Sequence, residues 1–471
     1  MKRLQSSIIQ VVTRGQALSS LGPSLGDLFE RLPIELQTEI FLQAIPHYPS
    51  ILKLTGPIIL SQVCRKWRII ALGTPKLWSS FSIHLPSPDA NTLVNDCERA
   101  VYLLNIWIQR SRNNPLSFLL IQEYPRRHQR MRYPNYAETL LTLLFLHSQR
   151  WRRVYLSLWA ELGPNFFVND TIELPMLHAL TIETNAPLSP AYPFLVQSLP
   201  WHQITELCLI NQRHTLTLDQ LLSILSKAVN IRWCRANVIC DLNDHRTERL
   251  SLPDLSFLHL VIQSLSAQGP VDVQTDVDSF MSFLECFEFP NLWTLRLEWL
   301  LRTIEPTYIS PAVGERFIKF IQGIGITLQE FELLYLPISD TILLDCLTQL
   351  PLVTNLELKY SLGAGDCDPI TDHLLRGLVL LQSASQLIKS DSSRNILPQL
   401  KKARFETYGA LCSSMALTNF LQSRTDDIED EQQRLEYLKF LTGVPVFEQY
   451  RCCLDNWRLK EGLDVSSLVV P

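Results

Sequence analysis

The sequence predicts an α/β protein in which a small N-terminal helical block is followed by a long array of strand, turn and helix. Three observations predict it. A proline-opened helical pattern begins at Leu32, nine copies of the pattern apolar-x-x-apolar-x-apolar recur between Trp151 and Phe405, and helical patterns fall between those copies. The composition agrees. Of the 471 residues 46% are hydrophobic and only 19% charged, which excludes wholesale disorder, and 16 glycines are too few for a fold organised around glycine-rich phosphate loops.

The N-terminal elements follow from local chemistry. In Leu32-Pro33-Ile34-Glu35-Leu36, proline has the fixed backbone angle that opens a helix, and Glu35 lies in the first turn, where the helix dipole favours an acid. Leu36, Ile40 and Ala44 share a face, and Pro46 stops the helix. A second helix is expected over Pro57 to Leu72, with Ile59, Val63, Trp67 and Ile70 at helical spacing. Thr74 is expected to cap a third, short turn opened by Pro75. Three short helices in about fifty residues carry more large apolar side chains than so small a bundle can bury, so a partner is expected to cover some of them.

This stretch resembles the F-box, as found in the large fungal F-box families. The resemblance rests on leucine-proline, glutamate-leucine and isoleucine-phenylalanine, then Val63-Cys64-Arg65-Lys66-Trp67-Arg68, then Leu77-Trp78. It departs in a longer first connection, Pro46 through Pro57. The resemblance implies docking onto a Skp-type adaptor and, through it, a cullin scaffold of an SCF ubiquitin ligase. By position, Leu32, Pro33, Glu35, Leu36, Ile40, Val63, Trp67 and Trp78 would carry the contact. Each tryptophan also admits a reading as ordinary core.

After Leu85, a polar stretch (86–95) reads as a linker, and a helix follows around Cys97 to Arg110. The repeat then begins. Its units are Trp151/Val154/Leu156, Leu177/Leu180/Ile182, Ile204/Leu207/Leu209, Ile231/Cys234/Ala236, Leu255/Leu258/Leu260, Leu292/Leu295/Leu297, Leu328/Phe331/Leu333, Val353/Leu356/Leu358 and Leu400/Ala403/Phe405. Most starts lie about 24 to 27 residues apart, and three gaps are longer. Helices are expected over Leu218 to Ala228, Glu315 to Ile324, Asp340 to Leu350 and Thr371 to Lys389. An acidic capping helix is expected over Asp426 to Leu441, with Gln432, Glu436 and Lys439 on its polar side, and a last strand over Leu463 to Val470.

The array resembles leucine-rich repeats in their irregular form, without an asparagine ladder. That implies a horseshoe-like α/β solenoid with parallel strands inside and helices outside. The expected organisation is an N-terminal segment (1–26), an F-box domain (27–85), a linker and helix (86–115) and the repeat solenoid with its cap (116–471).

The function classes narrow accordingly. A net charge of −5 gives no global field for nucleic acid or an anionic membrane, and the longest apolar runs, such as Leu140 to Leu146, fall short of a membrane span, which needs about 18 residues. Neither is expected as a partner. Three basic residues before Asp27 read as a frayed end rather than a transit peptide. Eleven scattered cysteines read as reduced thiols of an intracellular protein, cytoplasmic or nuclear, with no metal or cofactor expected. No catalytic motif is present, and Gly363-Ala364-Gly365, next to Asp366 and Asp368, reads as a plain loop. The arginine- and tyrosine-rich segment 124–136 reads as a solvated loop or a contact for an acidic protein.

On the strands, residues between the core positions face out. Trp233, Arg235, Phe257, His259, Thr294, Arg296 and Glu298 are therefore the candidate target-binding set, with Trp233 and Phe257 also able simply to pack on one another. The expected function is a non-catalytic substrate receptor of a ubiquitin ligase. The alternative is an F-box scaffold that binds without driving ubiquitination.

Overall fold

The structure is a computed structural model that describes residues 29, 31–85, 93–122, 136–158, 173–184, 199–211, 216–242, 249–263, 273–300, 309–360, 368–380, 395–407, 411–425, 434–443 and 464–470. The chain forms two compact units, divided between His214 and Thr215. Both are α/β and built on parallel strands.

In the first unit, helices α1 (Ile34–Ala44), α2 (Pro57–Val63) and α3 (Arg65–Gly73) precede a 3-10 turn over Pro75–Trp78. Where one helix is expected from Pro57 to Leu72, there are two. Cys64 is extended, with φ −153° and ψ 172°, and its Sγ accepts the Trp67 N–H, so the thiol caps α3 and separates it from α2. Thr74 is not a side-chain cap, because its hydroxyl donates back to the Ile70 carbonyl at 2.8 Å. Gly56 is needed where it stands. Its φ is +59°, and an added Cβ would lie 2.6 Å from Pro49 Cβ.

The sheet of this unit runs β1 (Ser80–Leu85), β2 (Leu116–Gln122), β3 (Trp151–Leu158), β4 (Ala179–Thr184) and β5 (Glu206–Asn211), all parallel and in that order. Helices α4 (Leu93–Ser111) and α5 (Tyr136–Phe145) lie in the crossovers, α4 close to its expected bounds. Two rows of apolar side chains cross all five strands in register, Phe81-Phe118-Val154-Leu180-Leu207 and Ile83-Leu120-Leu156-Ile182-Leu209, none more than 5% exposed. Strand β1 was not expected. It follows the same template, since Trp78, Phe81 and Ile83 have the spacing of the repeat, so the sheet begins inside the block assigned to the helices.

The second unit carries β7 (Trp233–Ile239), β9 (Phe257–Gln263), β11 (Thr294–Leu300), β12 (Glu330–Leu334), β13 (Asn355–Lys359), β14 (Lys402–Thr407), β15 (Tyr437–Gly443) and β16 (Asp464–Val470), adjacent in that order and parallel. A two-residue β6 (Leu216–Thr217) joins β7, and β8 (Leu250–Ser251) pairs with β10 (Phe287–Glu288) as a separate small sheet. Every expected repeat in this unit is in register. The rows Cys234-Leu258-Leu295-Phe331-Leu356-Ala403-Leu438 and Ala236-Leu260-Leu297-Leu333-Leu358-Phe405-Phe440 are buried throughout. Burying each leucine or phenylalanine contributes about 1.5–3 kcal/mol.

The rows extend one strand beyond the expected repeats, which corrects the reading of the C-terminal region. Leu435, Leu438 and Phe440 form a tenth unit, and residues 437–443 are strand β15 rather than part of a capping helix. Leu435, Leu438 and Leu441 recur every three residues and imitate a helical stripe, but the neighbouring strand β14 supplies a ladder that the segment joins. The remainder of that expected helix, 426–433, lies outside the described residues, as do the segments 123–135 and 361–367.

Helices α6 (Leu218–Lys227), α7 (Val273–Glu285), α8 (Pro311–Ile324), α9 (Asp340–Thr348), α10 (Asp372–Gly377) and α11 (Ser414–Ser423) connect the strands. Helix α10 is much shorter than the Thr371 to Lys389 pattern. It closes at Gly377, and residues 381–394 lie outside the description. Five of the six open on a serine or threonine whose hydroxyl accepts a first-turn N–H: Thr217, Ser310, Ser339, Thr371 and Ser413. Such caps contribute about 1 kcal/mol each. The helices cover the apolar face of the sheet, with Phe280 of α7 against Trp299 of β11 and Phe420 of α11 against Phe405 of β14. Arg424, just after α11, is fully buried and donates to the carbonyls of Leu378, Leu397 and Ile396 at 2.8–2.9 Å.

Candidate functional site

The first candidate surface is built by α1 to α3. Phe41 is the buried residue that holds them together. Its ring lies 5.5 Å from that of Phe29 and 4.9 Å from that of Trp67, and Gln37 beside it donates to the Leu32 carbonyl at 2.6 Å. Packing through positions 37 and 41 turns the neighbouring apolar positions outward. Ile34 (56% exposed), Leu36 (51%), Ile40 (36%) and Val63 (44%) remain on the surface, as do Pro33 and Glu35, while Leu32 and Trp67 are half-buried. Isolated exposed apolar residues need no explanation, but three on the one helix α1, with Val63 at the end of α2, make a candidate patch for an interaction surface.

Trp78 is not part of that patch, which corrects its expected role. It has no exposed surface, its indole N–H donates to the Ala71 carbonyl at 2.8 Å, Trp107 of α4 packs edge-on at 5.1 Å, and the Arg110 guanidinium lies 4.4 Å over its ring. At the end of the 3-10 turn, two residues ahead of β1, it joins the helical block to the sheet.

The second surface is the polar face of the sheet in the second unit. Because side chains alternate, three outward rows flank the two apolar rows. The first is Trp233-Phe257-Thr294-Glu330-Asn355-Lys402-Tyr437, the second Arg235-His259-Arg296-Glu332-Glu357-Arg404-Lys439, and the third Asn237-Val261-Glu298-Leu334-Lys359-Glu406-Leu441. The expected residues Trp233, Arg235, Phe257, His259, Arg296 and Glu298 therefore do come together on β7, β9 and β11. Trp233 and Phe257 stack with centroids 4.8 Å apart and planes 10° from parallel, so each covers the other and leaves a half-buried aromatic ledge.

Charge organises the rest of the face. Arg296 reaches Glu332 at 2.8 Å and Glu298 at 3.9 Å, and His259 Nε2 lies 3.5 Å from Glu298. Arg404 mirrors this on the far side, 3.0 Å from Glu357 and 3.9 Å from Glu406, with Lys359 also 3.2 Å from Glu406. Glu330 accepts from Thr294 at 3.0 Å and from the Asn355 amide at 2.8 Å. Glu330, Glu332, Glu357 and Arg404 were not singled out from the sequence. They occupy the same outward offsets as Arg235 and Arg296, so reading every unit at those offsets would have found them.

The electrostatic consequences differ from residue to residue. His259 is only 3% exposed, and burial pushes its imidazole pKa below the usual value, with Arg296 and Arg235 adding to the effect and Glu298 opposing it. The structure thus makes His259 a buried member of the ladder rather than an exposed contact. The close approach of His259 holds the Glu298 carboxyl below its ordinary pKa. Glu332 moves the other way, raised by burial and by the neighbouring Glu357 and Glu330 against the pull of Arg296.

Among the described residues no group of three or more histidine, cysteine or acidic side chains is placed to hold a metal, and no helix is long and apolar enough to cross a membrane. Of the two surfaces, one is apolar and the other is a lattice of paired charges. No protein-family model matches the chain, and no curated protein is significantly similar to it.

Proposed function

We propose that the chain is the substrate-recognition subunit of an SCF-type cullin ubiquitin ligase. In this reading α1 to α3 are an F-box that docks on a Skp-type adaptor, and the strand-helix units are an irregular leucine-rich-repeat solenoid whose polar sheet face holds a target protein. The observation that carries it is the outward placement of Leu36, Ile40 and Val63, positions that the F-box resemblance assigns to the adaptor, with Ile34 also exposed on α1. Covering such half-exposed side chains contributes on the order of 1 kcal/mol each. Trp78 drops out of the contact, and Trp67 offers one edge while its other side packs on Phe41.

The chain would contribute no reacting group. Holding a target beside the ligase's partner enzyme raises the effective concentration of its lysines, and that proximity is the catalytic contribution. The test is co-expression with a Skp-type adaptor. A one-to-one complex is expected that Leu36→Ala with Ile40→Ala weakens tenfold or more while the far-ultraviolet spectrum is unchanged. No complex with the unaltered chain, or an undiminished one with the double variant, would remove the reading.

A further inference from the structure

A pocket opens beside two of the three long intervals of the repeat. From Leu255 to Leu292 and from Leu292 to Leu328 the unit starts lie 37 and 36 residues apart, and from Val353 to Leu400 they lie 47 apart, against 24 to 27 in the other five gaps. The first of these long intervals contains β10, which pairs with β8, just ahead of Leu255, outside the main sheet. Beside this pair is a pocket of about 350 Å³ between β10, the end of α7 and the last turns of α8. That volume lies at the small end of the range for small-molecule sites.

The pocket has an apolar interior and a charged rim. Leu284, Phe287, Phe289 and Phe320 line it, with Phe287 and Phe289 stacked at 5.5 Å and Phe320 edge-on to Phe289 at 6.2 Å. Its two carboxylates already have partners. Glu285 accepts two bonds from Arg316 at 2.7 and 2.9 Å, and Glu288 lies 3.9 Å from Arg249. Arg316 is occupied further by Asp278 and Ser282. Lys319 is exposed on the rim and makes no ion pair among the described residues, so the lining carries one more cation than it does anions. At Gly323, also in the lining, a Cβ would meet nothing within 4 Å, so the wall is open there for want of a side chain.

We propose that this pocket binds a small monocarboxylic acid with an aromatic body, the ring lying against Phe287, Phe289 and Phe320 and the carboxylate meeting Lys319 and Arg249. Stacked and edge-on aromatic surfaces favour a flat ring. The surplus cation selects the ionised acid over its neutral or cationic analogues, because a cation would sit beside Arg249 and Lys319 with no free carboxylate to offset it. The site lies within the second unit and does not depend on adaptor docking.

The test uses the full chain and three probes of one shape: 2-naphthoate, 2-naphthamide and 2-naphthylmethylamine, titrated by calorimetry or ligand-observed NMR. Naphthoate is expected to bind at least tenfold more tightly than either analogue. Lys319→Glu together with Arg249→Glu should erase that preference, Gly323→Trp should abolish binding by filling the opening, and Gly323→Ala should leave it intact. Thermal unfolding of each variant separates loss of the site from loss of the fold. Equal binding of acid and amide, binding that survives Gly323→Trp in a folded protein, or no binding of naphthoate at millimolar concentration would each overturn the proposal.

Discussion

Glu332 stands directly opposite Glu357 on the adjacent parallel strand, with Arg296 paired to the first and Arg404 to the second, so two ion pairs meet carboxylate to carboxylate on the polar sheet face. Like charges in direct cross-strand register are unfavourable. Here Glu330 adds a third carboxylate on the same strand as Glu332.

Neutralising that apposition should stabilise the second unit. Glu332→Gln is expected to raise the unfolding free energy by about 0.2–1 kcal/mol at neutral pH, the range of cross-strand charge effects. A carboxyl whose pKa is raised in the folded state binds its proton more readily there, so the cost is present above the folded pKa and fades as pH falls through it. The advantage of the variant should therefore shrink under mild acid. A variant less stable than the parent at pH 7 would show that the bond to Arg296 outweighs the repulsion.

His259 gives the opposite dependence on pH. Its pKa is lowered by burial, with Arg296 and Arg235 adding positive charge beside it and Glu298 opposing them, so the unfolded chain takes up the proton first. Stability should fall as pH drops below about 6.5, the ordinary imidazole value, by up to about 1.4 kcal/mol per pH unit until the folded pKa is reached. His259→Gln should flatten this segment of a stability-against-pH curve measured by urea unfolding. An unchanged slope would assign the acid sensitivity to other groups.

Trp78 should behave as core. Trp78→Ala is expected to cost about 3–5 kcal/mol, the range for large aromatic deletions, and to lower the melting temperature of the first unit. If Trp78→Ala instead left stability unchanged and weakened only adaptor binding, the indole would have to be on the surface.

Among the described residues Arg424 is held by hydrogen bonds to main-chain carbonyls and has no ion pair. Burial lowers its guanidinium to about 9, which leaves it charged at neutral pH, and its three bonds to main-chain carbonyls tie residues 378, 396 and 397 to the end of α11. Arg424→Met leaves those carbonyls without their donor and should cost about 3 kcal/mol or more. Lysine, with one nitrogen in place of a planar fork, should restore less than half of it. Guanidinium unfolding of the three proteins reads the difference.

The repeat was legible in the sequence because its physics is local. Three apolar positions per unit must reach one face, and all nine units from Trp151 to Phe405 fall into two unbroken rows in each sheet. Three further strands of the rows were missed for identifiable reasons, β2 among them because Pro115 stands where Phe118 and Leu120 require a leading apolar residue. Trp78/Phe81/Ile83 was absorbed into the helical block because Leu77-Trp78 follows a proline turn, and Leu435/Leu438/Phe440 was masked by a helix-like recurrence of leucine. The break at Cys64 was invisible because a cysteine that caps a helix has no distinctive spacing. At the polar face the residue types were foreseen, but the pairing of Arg296 with Glu332 and of Arg404 with Glu357 depends on strand register over 36 and 47 residues, which no local pattern records.

The in-register rows have a consequence for how the molecule comes apart. A core leucine in β12 leans on β11 and β13 and on little that is remote in the chain, so each strand is held chiefly by its two neighbours. Loss of structure within a sheet is then expected to begin at an outer strand and travel inward link by link, like a chain of dominoes. A mild denaturant would populate shortened sheets in place of a single switch between folded and unfolded.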